Sequence, residues 1–261
     1  MSLPKLGLKP RGFNPAIPHY STHLAGRELT PPPVSVSWIR GMPADLGPML
    51  NNQVNDCSCA ALYHALQVWS FNATGTLDTE PDSNVEALYS AVSGYKAGAA
   101  PPGPECAMQD VLTYSAKTGI PVGANGAQRN KLAAFFEIDH RNPDDLKRAV
   151  QECGVAYVGI NVPAYTHTSP MPAVWDVETE NAQIIGGHAV IAAGYDAQGI
   201  QVISLGKTYI MTWAFFAKYT HEAYVLADAS WIEAKGTSPA GLSLAQLEQQ
   251  MQALKGKSAT N

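Results

Sequence analysis

Two residues carry most of the chemistry this chain offers. Cys57 follows Asn55 and Asp56 and opens a run to Phe71 that holds no glycine or proline and is rich in alanine and leucine. Asn and Asp are helix-capping residues, so the run is expected to be a helix with Cys57 in its first turn. Unpaired N–H groups and the helix dipole favour negative charge there, which raises the thiolate fraction of a cysteine. His188 follows Gly186 and Gly187 and begins the apolar run Ala189 to Ala193, which reads as a buried strand. Glycines directly before it leave room for another backbone or a substrate to approach. A cysteine on one element facing a histidine on another is the arrangement of nucleophilic thiol catalysis. Each residue alone also fits a purely structural part, because cysteine is among the most buried residue types and lone strand histidines commonly sit in cores.

The elements that must position this pair divide the chain in two. Helices are expected at about 83–93 and 108–118, and a fourth after Pro143 carries Leu146, Ala149 and Val150 on one side. After Cys153 the runs 155–160, 188–193, 200–203 and 209–211 are short, apolar or alternating, and bounded by Gly and Asp, which is the pattern of strands. A loop from about Pro163 to Ala182, long by ordinary statistics, separates the first two. A helical half followed by an antiparallel sheet half implies an α+β fold with an inter-lobe cleft, the cysteine on one side and the histidine on the other.

Residues 1–33 hold seven prolines and no periodicity, so they are expected to be an extended arm or linker and not a core element. Leu6, Leu8, Phe13, Ile17 and Tyr20 would anchor such an arm along the surface; a disordered tail is the alternative. Residues 34–235 form the expected domain. Within 236–261, Ser243 with Gln246 resembles a capping box, and Leu244, Leu247, Met251 and Leu254 make an apolar stripe, so a C-terminal amphipathic helix and tail are expected. Arm and helix are the surfaces a protein partner would use.

Composition narrows the function classes. With 261 residues, 46% hydrophobic and 15% charged, the chain is an ordinary globular protein of one large or two small domains. Its net charge of -5 and lack of a Lys/Arg cluster argue against nucleic acid as a partner. No apolar run approaches a membrane span, and no apolar stretch backs Lys5, Lys9 and Arg11 as a secretory signal would require. Four cysteines, Cys57, Cys59, Cys106 and Cys153, are read as reduced thiols in the cytoplasm. Cys57 and Cys59 with His64 lack the second matched pair of a zinc site, so no metal is expected. Phosphate-cradling glycine loops and Gly-x-Ser-x-Gly elbows are absent, and no cofactor is implied.

Taken together, three segments resemble the papain-like cysteine peptidases. Val36-Ser37-Trp38-Ile39-Arg40 is similar to that family's Val-Asp-Trp-Arg. The stretch from Asn51 to Ala61 is similar to its nucleophile segment, and looks most like that of little-characterised bacterial relatives. Gly186-Gly187-His188-Ala189-Val190 with Gly194-Tyr195 is similar to its Gly-x-His-Ala-Val with Gly-Tyr. The resemblance spans about 34–228 and implies a two-lobe fold, a helical N-terminal lobe and an antiparallel β-sheet C-terminal lobe. It also implies thiol-dependent hydrolysis of a peptide or amide bond. Cys57 would be the nucleophile, His188 the general acid and base, and Asn51, six residues before Cys57, an oxyanion donor. The same spacing recurs with Gln53 and Cys59, an alternative frame that places Cys57 where the family has glycine; the first frame is favoured. Ser204 stands sixteen residues after His188, where the family has Asn, and would orient the imidazole. Two other readings stay open: a catalytically weak or inactive binding or structural protein that keeps the fold, and a transglutaminase-like acyl transferase.

Overall fold

A buried helix and a long sheet organise the chain, described for residues 3–12, 14–26, 28–235 and position 245 in a computed structural model. The arm contributes a short helix, α1 (Tyr20–Leu24), and β1 (Val36–Ser37) follows it. Next comes α2 (Cys57–Thr74), whose residues are buried on every side from Cys57 to Trp69. A helix apolar all round belongs inside a protein, and its polar members must find partners there. They do: Tyr63 Oη lies 2.8 Å from both the Asn84 and Pro121 carbonyl oxygens, which share its one hydrogen, and Trp69 Nε1 donates to the Cys153 carbonyl at 2.7 Å. Gly75, left-handed at φ 78°, ends the helix, as only a residue without a Cβ does readily.

Further along are α3 (Asp82–Ser93), α4 (Met108–Lys117) and a hairpin of β2 (Ile120–Val122) with β3 (Gln128–Asn130). After β4 (Leu132–Glu137) comes α5 (Pro143–Cys153), opened by an Asn142 side chain that accepts from the Asp144 N–H at 3.2 Å, with Pro143 in the first turn. The rest is mostly sheet: β5 (Ala156–Pro163), β6 (Val174–Trp175), β7 (Ile184–Tyr195), β8 (Gly199–Ser204), β9 (Lys207–Thr212), α6 (Trp213–Tyr219), β10 (Thr220–Asp228) and α7 (Ala229–Lys235). Strand order is β4-β10-β5-β7-β8-β9-β6, with β1 also paired to β7. Every pair is antiparallel except β6 with β9. Helix α2 packs against the central strand β7, so the first residue of one and the middle of the other meet in the interior. No helix among the described residues is long and apolar enough to cross a membrane.

Expectation and structure part in several places; β2, β3, α6 and β10 are not anticipated, and three further differences have a clear physical reason. Strand β4 lies in the half read as helical, and it joins the sheet through β10, because a six-residue apolar run has no period that separates strand from helix. The loop expected from 163 to 182 contains a 3-10 turn at Ala164–Thr166 and the two-residue β6. The arm is a core element after all. Leu8, Ile17, Tyr20 and Leu24 are buried, Tyr20 Oη donates to Glu152 Oε2 at 2.8 Å, and the Glu137 N–H donates to the Pro18 carbonyl at 2.9 Å. Widely spaced apolar residues on an extended chain are enough to bury it, though they give no periodic signal. Phe13 and the helix expected at 236–261 lie outside the described residues, apart from position 245.

Candidate active site

Cys57 is the first residue of α2 and is 1% exposed. The preceding Asp56 occupies the N-cap but makes no side-chain cap; its buried carboxyl accepts from Asn51 Nδ2 at 3.2 Å instead. Asn55 is likewise drawn away, donating to the Gly103 carbonyl at 2.8 Å. The backbone N–H groups of Ala189 and Gly7 approach the Cys57 sulfur and favour its thiolate. Burial opposes them and dominates, pushing the thiol up to about 12. A helix N-terminus favours a thiolate, but here the cost of burying the charge outweighs it.

His188 lies on β7 opposite Ile160 and is 3% exposed. Its Nε2 is 2.8 Å from Ser204 Oγ, at the end of β8. Ser204 is held there by a tight turn through Leu205 at φ 51° and Gly206 at φ 75° that leads straight back into β9. A Cβ at Gly206 would lie 2.2 Å from the Gly47 carbonyl oxygen, so the turn accepts no larger residue without moving. The other ring nitrogen, Nδ1, has no hydrogen-bond partner among the described residues. Burial first, then the neighbouring His167 and His64, push the imidazole down to about 3. At neutral pH both thiol and imidazole are therefore uncharged in this arrangement.

The seal is the arm, whose sequence allows that residues 1–33 occlude the cleft but does not say which groups they bind there. Residues Pro4 to Lys9 run extended between α2 and β7. The Lys5 N–H donates to the Asn51 carbonyl at 2.8 Å, and Asn51 Nδ2 donates back to the Lys5 carbonyl at 3.1 Å. The Gly7 carbonyl accepts from the Cys106 N–H at 2.9 Å, the Leu8 N–H donates to the Gly187 carbonyl at 3.2 Å, and the Lys9 N–H donates to the Cys106 carbonyl at 3.2 Å. His167 Nε2 lies 2.9 Å from the Pro4 carbonyl oxygen. Three glycines make this fit possible. A Cβ at Gly7 would lie 2.2 Å from the Asn55 carbonyl oxygen, one at Gly186 2.9 Å from Leu6 Cβ, and one at Gly187 2.8 Å from the Leu8 carbonyl oxygen. The glycine pair before His188 does admit another backbone, and that backbone is the chain's own.

Asn51, Cys57, His188 and Ser204 are thus gathered around one stretch of extended chain. Gln53 and Cys59 are not: Gln53 is exposed on its turn, while Cys59 is fully buried with its thiol against Cys106. Trp213, half-buried at the edge of the core, packs on Tyr195 and Phe216, donates to the Asp196 carbonyl at 2.9 Å and carries Lys147 Nζ 5.0 Å above its ring.

No protein-family model and no curated protein matches the chain by sequence. Solved structures do. Xylellain, a cysteine protease from Xylella fastidiosa, is 14% identical with a TM-score of 0.64, over 87% of this chain and 97% of that one. Digestive procathepsin L 3 of Tenebrio molitor larval midgut is 13% identical with a TM-score of 0.56, over 87% and 75%. A procathepsin B from Trypanosoma congolense is 11% identical with a TM-score of 0.54, over 85% and 83%.

Proposed function

Because the chain has the two-lobe papain-like fold, we propose that it is a thiol-dependent hydrolase of peptide or amide bonds, with Cys57 as nucleophile and His188 as general acid and base. The observation that carries this reading is the peptide already in the cleft. An extended segment is held by backbone hydrogen bonds on both sides, with one carbonyl on Asn51 Nδ2 and one N–H on the Cys57 sulfur. A cleft that holds one extended strand so closely is built to hold another, namely a substrate.

With the arm displaced, the thiol gives its proton to His188 and the sulfur attacks the substrate carbonyl carbon. The carbonyl oxygen takes up the electron pair and is held by Asn51 Nδ2 and the Cys57 N–H. His188 returns the proton to the amine as the C–N bond breaks, leaving a thioester on Cys57. His188 then takes a proton from water, the hydroxide attacks the thioester, and the carboxylic acid leaves as the thiol is restored. Ser204 is a positioning residue that fixes the imidazole through its Nε2.

The four cysteines form no disulfide, which fits a reducing, cytoplasmic setting. A peptide is the partner this reading requires; nucleic acid is not. The buried, uncharged pair also favours a second reading, a non-catalytic protein that keeps the fold.

The test is incubation with a mixed peptide library, with products read by mass spectrometry and the thioester trapped by acid quench. Cleavage and a covalent adduct on Cys57 are expected, and both vanish in Cys57→Ala. Cleavage that survives in Cys57→Ala removes the reading. Ser204→Ala removes one hydrogen bond to the imidazole, worth about 1 kcal/mol, so kcat should fall about fivefold with KM little changed.

A further inference from the structure

Asp56 stands at the N-cap of α2, is fully buried, and does not do what an aspartate there usually does. Its side chain makes no capping bond, and its φ of -103° and ψ of 17° lie outside the extended region from which a capping side chain reaches the first turn. The first bond of the helix, from the Ala60 N–H at 2.9 Å, goes to the Asp56 backbone carbonyl and would form with any side chain. Of the carboxyl oxygens, Oδ1 accepts from Asn51 Nδ2, and Oδ2 has no hydrogen-bond partner among the described residues. Burial pushes this carboxyl well above its ordinary range, with Asn51 opposing, which favours the uncharged acid. A buried carboxyl with one oxygen unpaired costs stability, and the bond to Asn51 is what the structure sets against that cost.

Asn51 needs such a partner. Met49 and Leu50, at φ 49° and 65°, are both left-handed without being glycine, and this turn, with the Asn51 N–H on the Pro48 carbonyl at 3.0 Å, carries Asn51 back to the start of α2. The turn fixes the backbone but not the amide, because the last torsion of an asparagine is broad. Nδ2 has two hydrogens for three acceptors: the Lys5 carbonyl at 3.1 Å, Asp56 Oδ1 at 3.2 Å and the Val54 carbonyl at 3.4 Å. Only the Lys5 carbonyl belongs to the arm. When the arm leaves, the hydrogen it held becomes free for a substrate oxygen, while Asp56 and Val54 keep the other, Asp56 by the shorter bond.

Resting on the hydrolase reading, we propose that Asp56 is a positioning residue for the oxyanion: its carboxyl holds one N–H of Asn51 so that the other is presented to the substrate carbonyl oxygen. Asparagine at position 56 offers the same acceptor in the same place. Alanine offers none, and the amide of Asn51 is then free to turn.

The test uses the full chain with Asp56→Ala and Asp56→Asn, and two readouts. Iodoacetamide alkylation of Cys57 needs no oxyanion donor, whereas a pool of tripeptide aldehydes protects the thiol by forming a hemithioacetal whose oxygen does. Asp56→Ala should raise the aldehyde concentration for half protection about tenfold and lower kcat on any cleaved peptide by a similar factor, with KM little changed. That is less than the roughly 10²–10³-fold lost when an oxyanion donor is removed outright. Alkylation without aldehyde should stay within about twofold, and Asp56→Asn should restore protection and kcat to within about threefold. Unchanged protection in Asp56→Ala overturns the proposal, as does an Asp56→Asn chain as defective as Asp56→Ala, or alkylation that changes in step with protection. Weakened protection in a chain that cleaves no peptide keeps the positioning residue and removes the hydrolase; cleavage that is the same in Asp56→Ala does the reverse. Aldehydes that do not protect the unaltered chain overturn both. Should Asp56→Ala fail to fold, Asp56→Leu fills the same space without an acceptor and gives the same comparison.

Discussion

Gly7→Ala is expected to accelerate alkylation of Cys57 in the full-length chain about 30-fold at pH 8. In the closed arrangement the thiol stands at about 12 instead of its ordinary 9.0, so its thiolate fraction at that pH is about a thousandfold lower than that of a normal cysteine. An alanine Cβ at position 7 would meet the Asn55 carbonyl oxygen at 2.2 Å, a distance that real contacts do not reach. Overpacking of this kind typically costs about 1–3 kcal/mol. Charged to the closed state alone, about 2 kcal/mol multiplies the open population by about 30. Gly12→Ala is the control: its Cβ would have nothing within 4 Å, and no change is expected. Site-resolved mass spectrometry after iodoacetamide reads both variants. If Gly7→Ala reacts at the wild-type rate, the arm does not control access to the thiol.

The opening should be local. Downstream of the cleft the arm is tied by Ile17, Tyr20 and Leu24 in the core and by the Thr30 carbonyl, which accepts from Arg148 Nη1 at 2.9 Å. Lifting residues 4–9 breaks a handful of backbone hydrogen bonds and leaves these contacts alone, so it is a sub-global event. The same tether keeps the arm's effective concentration high, so any competing peptide has to outbid an intramolecular ligand. That is why side-chain recognition matters more here than in an open cleft.

Much of this site was legible because its residues are tied to local patterns. The helix start at Cys57, the strand at His188 and the sixteen-residue step to Ser204 are all features of short windows, and the 2.8 Å contact between His188 and Ser204 lies where that step puts it. The Asn51–Cys57 frame is favoured over Gln53–Cys59 by the sequence pattern although both pairs have the same spacing, and the structure adds that Gln53 is exposed while Asn51 is buried. The thiol's state was not legible. Its pKa depends on burial and on N–H groups from Gly7 and Ala189, which lie some fifty and more than a hundred positions away in sequence. Gly186 and Gly187 signalled that a backbone comes close, but nothing in their own window named the arm as that backbone. Likewise β4 and β10 pair across more than eighty residues, and no periodicity announces such a partner.

His188→Ala, placed in the Gly7→Ala chain, should remove most of the reactivity that opening confers at low pH. Burial is the largest cause of both displaced values, raising the thiol to about 12 and lowering the imidazole to about 3. When the arm lifts, both shifts relax: the thiol falls, the imidazole rises, and a window opens in which thiolate and imidazolium coexist and stabilise each other. In Gly7→Ala the alkylation of Cys57 should therefore persist to about pH 6. Without His188 the thiol loses its counter-charge and its onset moves up toward the ordinary 9.0. At pH 6 a thiol titrating near 9 is ionised about one part in a thousand, so a loss of about 10³-fold is expected there, shrinking as pH rises toward 9. Peptide hydrolysis should fall by at least about 10²–10⁴-fold, because the general acid and base are removed as well. A pH profile that is the same with and without His188 would mean that the open thiol has no imidazole partner, and the non-catalytic reading of this fold would then be the one to pursue.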